Sequence, residues 1–292
     1  MRGRDEGGGR REEGGGEGAG SKAAPQAVHA RAAMSDPRVR VALIGAGIFA
    51  RETYIPNLLA HKDRVKLVAV LSRSKEPIDE ALALLEDEGA GVQKFFGSDG
   101  EESFFAQASD ICDAVVLAVP IPLLGKYIER CLALDLHLLS EKPVAATSAQ
   151  AARLVAIYRQ KALRSGVWCV AENYRLEPAV TFASDIVRRH PSAPKNFSLM
   201  ALRQQSPTSK YAVTAWRAQP DYKGSFVLDG GIHFVALLRA VMGGDVQNIR
   251  GTYEERSVCE VGAFGACSVA GATGTYFIRY GMFPSPVCRL DV

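Results

Sequence analysis

Apolar positions along this chain follow two different rhythms. Between Val39 and Glu172, short and nearly unbroken apolar runs recur: Val39–Ile44 (VRVALI), Val65–Leu71 (VKLVAVL), Asp113–Val119 (DAVVLAV), Leu136–Ser140 (LHLLS) and Val167–Glu172 (VWCVAE). Their length and β-branched content predict strands, and stretches such as Ser148–Arg164 (SAQAARLVAIYRQKALR) predict helices between them. A strand apolar on both faces needs cover on both faces, so this alternation predicts an α/β domain with a doubly wound parallel sheet over residues 37–172. After Pro178 the rhythm changes to a helix (Pro178–His190), a strand (Lys195–Gln204), a long loop, a helix from about Gly230 that stops at Gly243, and a strand from Val246 to Glu254. That order predicts a second, α+β open-sheet domain over residues 173–258, with a ligand cleft against the first.

The two ends read differently. Residues 1–36 are rich in glycine and charge and nearly free of large apolar side chains, so they are expected to be disordered. Asp5, Glu6, Glu12, Glu13 and Glu17 argue against a transit peptide, and Met34 is an alternative start just ahead of the ordered sequence. Residues 259–292 show little alternation and are expected to form an atypical tail.

Composition narrows the function. A chain of 292 residues, 47% hydrophobic, can bury a sizeable core. With 35 Lys and Arg against 32 Asp and Glu, and no basic patch interleaved with aromatics, nucleic acid is not an expected partner. The six cysteines form no CxxC and the histidines have no ligand-like spacing, so no metal site is read and a reducing, cytoplasmic setting is expected. The most apolar stretch, ICDAVVLAVPIPLL, is interrupted by Asp113 and two prolines and is too short for a bilayer, so no membrane partner is expected.

Three motifs carry chemistry. Gly45–Ala50 (GAGIFA) follows the first strand directly. Gly45 permits the tight turn, Gly47 lets backbone approach a pyrophosphate, and the next helix presents free N–H groups to the phosphates, with Ile48 and Phe49 in its first turn. At the end of the second strand, where an acidic residue would take the ribose hydroxyls of NAD, stand Ser72 and Arg73, which favours NADP(H) over NAD(H). Val119 and Pro120, closing another strand, join this cofactor-binding set. Glu141 and Lys142 of SEKPVAA emerge at a strand carboxyl end, where open parallel sheets bind ligands, and Pro143 holds the turn. Leu228–Phe234 (LDGGIHF) sets Asp229 and His233 four residues apart, one helical turn, beside two glycines.

Taken together, GAGIFA, EKP, AENYRLEPA, AWR and LDGGIHF resemble, in order and spacing, the glucose-fructose oxidoreductase, inositol dehydrogenase and MocA family over roughly residues 38–255. GIFAR, KYAVTAWRAQP and DGGIHFVALL resemble its fungal NADPH-dependent branch. The resemblance implies a Rossmann domain, a C-terminal open-sheet domain, an active site between them and a homo-oligomer. It also implies a catalytic set at Lys142, Asp229 and His233. In that set His233 is acid or base, Asp229 orients the ring, Lys142 binds the reacting oxygen, and the paired glycines admit a ligand close to backbone. Trp216 and Arg217 are expected against the cofactor. Asn173, Tyr174 and Tyr211 are candidate contacts to a small-molecule substrate. Against the family pattern, the stretch after Arg256 is expected to be a foreshortened end that exposes a sheet edge and an apolar face. The leading expectation is an NADP(H)-dependent oxidoreductase acting on a small carbonyl or hydroxyl compound. A non-catalytic NADP(H)-binding regulatory protein and an inactive truncated isoform stand as alternatives.

Overall fold

The computed structural model describes residues 36–160 and 166–292. Expectations about the first 35 residues, the start at Met34, and the end of the helix beyond Gln160 lie outside the described residues.

The N-terminal domain is a six-stranded parallel sheet in the order β3-β2-β1-β4-β5-β6. Its strands are β1 (Val39–Ile44), β2 (Val65–Ser72), β3 (Gln93–Phe96), β4 (Ala114–Leu117), β5 (His137–Ser140) and β6 (Trp168–Val170). Its helices are α1 (Ile55–Ala60), α2 (Lys75–Ala83), α3 (Gly97–Ile111), α4 (Ile121–Ala133) and α5 (Ser148–Gln160). The short edge strand β3 escapes the hydrophobic pattern because only Phe95 of its four residues is buried. Strand β1 shows why the apolar runs are continuous. Val41 and Leu43 pack with Ile55, Ile78 and Leu82 on one side, while Ala42 and Ile44 pack with Phe104, Leu124 and Ile128 on the other. Both faces are core, so the chain cannot alternate apolar with polar there.

The second domain places α6 (Pro178–Arg189), α7 (Ala215–Ala218), α8 (Ser225–Asp229) and α9 (Ile232–Met242) with a five-stranded sheet ordered β11-β7-β10-β9-β8. Its strands are β7 (Asn196–Gln204), β8 (Val246–Ser257), β9 (Glu260–Val269), β10 (Ala272–Gly281) and β11 (Val287–Asp291). The sheet is mixed: β10 runs parallel to β7 and antiparallel to β9. Phe226, Phe234, Leu238 and Met242 pack with Phe197, Leu199, Val261, Val269 and Ile278 to form its core. Residues 225–242 are apolar and long enough in total to cross a membrane. They are, however, divided at Gly230–Gly231, and their large apolar side chains fill this core.

The expectation of an atypical tail over residues 259–292 is corrected. They supply three of the five strands, and β10 lies inside the sheet between β7 and β9. Glycines disguise the strand pattern, and the crowding of the sheet explains them. A Cβ at Gly265 would stand 2.0 Å from the Arg250 carbonyl oxygen, and one at Gly274 would stand 2.2 Å from that of Phe197. The β9–β10 link turns on Ala270 and Gly271, both at positive φ (48° and 85°), the backbone of a two-residue hairpin loop.

Gly45 marks the point where β1 must turn. Its φ is +100°, and a Cβ would lie 2.2 Å from the Ala118 carbonyl oxygen beyond β4. Gly45→Ala is therefore expected to lower stability by about 1–3 kcal/mol from backbone strain alone, with the steric clash adding to it. Urea unfolding of the variant beside the parent chain measures this.

Candidate functional site

The carboxyl ends of the parallel strands form one rim, and the second domain meets it there. Gly47 is exposed, and a Cβ on it would meet nothing within 4 Å. Its lack of a side chain therefore answers no demand of the protein's own packing, as expected of a turn that keeps backbone open to a phosphate. The chain then enters a helix whose Ala50–Tyr54 portion is a π-helical stretch leading into α1. Exposed Phe49 sets its ring edge-on to Tyr54, with centroids 5.7 Å apart. Ser72 ends the neighbouring strand β2, and exposed Arg73 follows it. Val119 and Pro120 lie between β4 and α4, beside Gly45. These residues fit a dinucleotide: a turn that tolerates only glycine, an unobstructed second glycine, a helix start, and a hydroxyl and a guanidinium at the next strand end.

Lys142 follows β5 and is joined to Pro143 by a cis peptide bond. Its ammonium donates to the Asp229 carbonyl oxygen at 2.7 Å and to Asp229 Oδ1 at 3.0 Å. The other carboxylate oxygen of Asp229 accepts from Arg217 Nε at 2.8 Å. The side chains of Lys142 and Asp229 are only 15% and 9% exposed. Burial drives the Asp229 carboxyl upward, but Lys142 and Arg217 more than offset it and hold the group below its ordinary range. Arg217 also lies over the Trp216 ring at 3.9 Å, so the AWR segment meets this carboxylate through its arginine.

The expectation that Asp229 orients His233 is corrected. The helix does not run through both residues: α8 ends at Asp229, Gly230 and Gly231 intervene, and α9 begins at Ile232. Both oxygens of Asp229 are engaged by Lys142 and Arg217. The imidazole Nδ1 instead meets Glu172, at 2.7 and 3.0 Å from its two carboxylate oxygens. Tyr174 stacks on the same ring with centroids 4.6 Å apart and planes 19° from parallel. The paired glycines also have a different reason from the one expected. A Cβ at Gly230 would lie 2.2 Å from the Tyr280 hydroxyl oxygen, and one at Gly231 would lie 2.3 Å from the Val227 carbonyl oxygen, so protein rather than ligand approaches them.

Glu172 is the residue that motif reading missed. It follows β6, which pairs with β5, so it reaches the same rim as Glu141 and Lys142. An acidic residue at the end of a parallel strand was the available signal. Burial raises the Glu172 carboxyl, while hydrogen bonds from His233 and from the Tyr174 backbone outweigh that and lower it. Glu141 goes the other way. Burial raises it, and the Tyr54 hydroxyl bond at 2.6 Å and neighbouring Lys142 offset only part of the rise. The remaining candidates are paired elsewhere. Asn173 donates to Glu177 at 3.0 Å. Tyr211 donates to Glu52 at 3.2 Å, beside Lys210, while the Arg217 guanidinium lies 5.5 Å from its ring. Among the described residues no group of three or more His, Cys, Asp or Glu is arranged to hold a metal ion.

Residues 39–168 match the Gfo/Idh/MocA model, described as an oxidoreductase family with an NAD-binding Rossmann fold. Over that stretch the chain carries this family's Rossmann domain. Fusarium mangiferae dehydrogenase FPY6 is 33% identical over 207 residues, covering 70% of this chain and 58% of the relative. A D-xylose 1-dehydrogenase [NADP(+)] of Haloarcula marismortui is 26% identical over 219 residues, covering 75% and 58%. An oxidoreductase of Thermotoga maritima at 23% identity shares the fold, with a TM-score of 0.74 over 87% of this chain and 76% of that one. The chain spans about three fifths of the length of these curated relatives.

Two measurements follow from the geometry. Gly47→Ala is expected to leave the unfolding midpoint nearly unchanged while weakening dinucleotide binding, which calorimetry and fluorescence titration separate. Asp229→Asn leaves two cations facing each other and should cost roughly 3–5 kcal/mol, the usual price of breaking a buried pair. Because the folded-state carboxyl is lowered, Asp229 contributes stability that is present above its ordinary value of 3.8 and lost as pH falls through the lowered folded-state value. The parent-to-variant gap in thermal midpoint should therefore be wide at neutral pH and narrow as the solution is acidified below pH 3.8.

Proposed function

We propose that this chain carries the core of an NADP(H)-dependent oxidoreductase that moves a hydride between the nicotinamide and a small carbonyl or hydroxyl compound, such as a sugar, polyol or aldehyde. The supporting observation is that Lys142, after β5, and His233, bonded to Glu172 after the adjacent β6, come from different domains and are each engaged by a separate carboxylate. Carbonyl reduction needs a hydride on carbon and a proton on oxygen; the bound dinucleotide supplies the first, and the second is the task of the protein. His233 is suited to it because Nδ1 is taken by Glu172, which leaves Nε2 to face a substrate oxygen. Lys142 has three N–H donors, two of them on Asp229, so one is left to bind that oxygen and stabilise its developing charge.

Gly45, Gly47, Ile48 and Phe49 would hold the pyrophosphate, with Val119, Pro120 and Glu141 along the rim and Trp216 with Arg217 closing from the second domain. Ser72 and Arg73, where an acidic residue would select the ribose diol, support NADP(H), in line with the cofactor in the name of the Haloarcula relative. The protein would work on a small molecule as a homo-oligomer in the cytoplasm, without nucleic acid or membrane.

Titrating the purified protein with NADPH and NADH, then screening carbonyls and polyols with the tighter ligand, tests the reading. NADPH is expected to bind more tightly, with Arg73→Ala narrowing the difference. Lys142→Met and His233→Ala should each lower kcat by roughly 10²–10⁴-fold with the NADPH Kd little changed. NADPH binding with no turnover across the panel would reduce the protein to a nucleotide holder.

A further inference from the structure

Resting on the reading above that His233 moves the proton, we infer that Glu172 is the positioning residue for that imidazole and that Asp229 instead serves the Lys142 ammonium. The site then contains two separate carboxylate-held units, one for the proton and one for the oxygen's charge. Four observations carry this. The Glu172 carboxylate is 10% exposed and spans Nδ1 with both oxygens. It is itself fixed by the Tyr174 backbone N–H at 3.0 Å, in the single turn Tyr174–Leu176 that follows β6. The Tyr174 ring lies flat on the imidazole, which leaves the ring little freedom to rotate about its bond. Asp229, the carboxylate that the four-residue spacing nominates, has each oxygen on a cation, Lys142 on one and Arg217 on the other.

The chemistry follows from donor and acceptor roles. A carboxylate accepts, so Nδ1 of His233 carries a hydrogen and donates it to Glu172. In the neutral ring Nε2 then has only its lone pair, the form that takes a proton from an alcohol; in the cationic ring Nε2–H is the form that gives one to a carbonyl oxygen. In the reducing direction a bound reduced nicotinamide would supply the hydride for the carbonyl carbon, and the C=O π pair would leave negative charge on the oxygen. That oxygen takes the Nε2 proton, and the ring becomes neutral with Nδ1–H still on Glu172. Glu172 never takes the proton, and solvent restores the Nε2–H. The opposed influences of burial and His233 on Glu172 resolve toward the charged carboxylate, consistent with that role. Other titratable groups near this pair are Tyr174, stacked on the ring, and Lys142 from the β5 end, whose charge reaches Glu172.

Nitrogen-15 NMR of the ring in the full chain reads the tautomer directly and without turnover. The parent protein is expected to show His233 as the Nδ1–H tautomer when neutral. Glu172→Gln keeps an acceptor for both Nδ1 and the Tyr174 N–H, so it should retain much of that tautomer and a partial kcat. Glu172→Ala should let the tautomers mix and lower kcat by about 100-fold or more, with KM and the NADPH Kd little changed. Asp229→Asn should leave the His233 tautomer intact. A parent ring protonated on Nε2, a Glu172→Ala protein with unchanged tautomer and kcat, or an Asp229→Asn protein whose ring shifts as Glu172→Ala predicts would each overturn the inference. Should Glu172→Ala fail to fold, Glu172→Gln and the parent spectrum still decide it. A fully active His233→Ala protein with the expected ring spectra would sink the catalytic reading while leaving the Glu172 pairing intact.

Discussion

A carboxylate buried between two cations is the constraint on which the rest of this architecture turns. Asp229 ends α8 in the second domain, and Lys142 belongs to the turn after β5 in the first, so their bond is a connection between domains as well as an ion pair. Three buried charges are costly to remove from water, and they are tolerated because each meets a partner at hydrogen-bond distance. Lys142 reaches the Asp229 backbone carbonyl as well as its side chain, which pins the end of α8 and with it the break before α9. The position of His233, in the first turn of α9, follows from where that break falls.

The second buried connection, Glu172 to His233, lies beside the first because β5 and β6 are neighbours in the parallel sheet. Strand adjacency brings two strand ends from the Rossmann domain under two consecutive helices of the other domain. Each strand end presents a charged residue, and each helix presents the complementary group. Outside this centre, Lys210 and Glu52 also link the domains, but both are about half exposed. Solvent screens such a pair, so it contributes little to holding the cleft compared with the two buried connections.

Crowding accounts for several glycines in the second domain. Gly230 and Gly231 yield space to Tyr280 and to a helix carbonyl, and Gly265 and Gly274 let neighbouring strands close up in the second sheet. Gly47 is the contrast, open on the side where its Cβ would point. The same residue type thus serves protein packing in one place and leaves backbone uncovered in another, and only the surrounding atoms distinguish the two.

The parallel sheet, its helices and the turn at Gly45 were legible from one dimension, because a strand covered on both faces must be apolar throughout and a left-handed turn needs glycine. The residues at the rim were legible for a related reason: parallel strands all end on one side, so Glu141 and Lys142 announced themselves by position. Residues 259–292 were not legible, since glycine and alanine inside β9 and β10 erase the period-two pattern that marks a strand. Nor could spacing assign Asp229 its partner. Four residues along a helix predict contact only while the helix is unbroken, and the Gly230–Gly231 interruption frees Asp229 to meet a lysine 87 positions away while a glutamate 61 positions from His233 takes its place. Sequence alone determined that charged residues gather at the ends of the parallel strands; the packing of one domain on the other decided which of them pair, because a buried charge settles on the nearest partner in space whatever its distance along the chain.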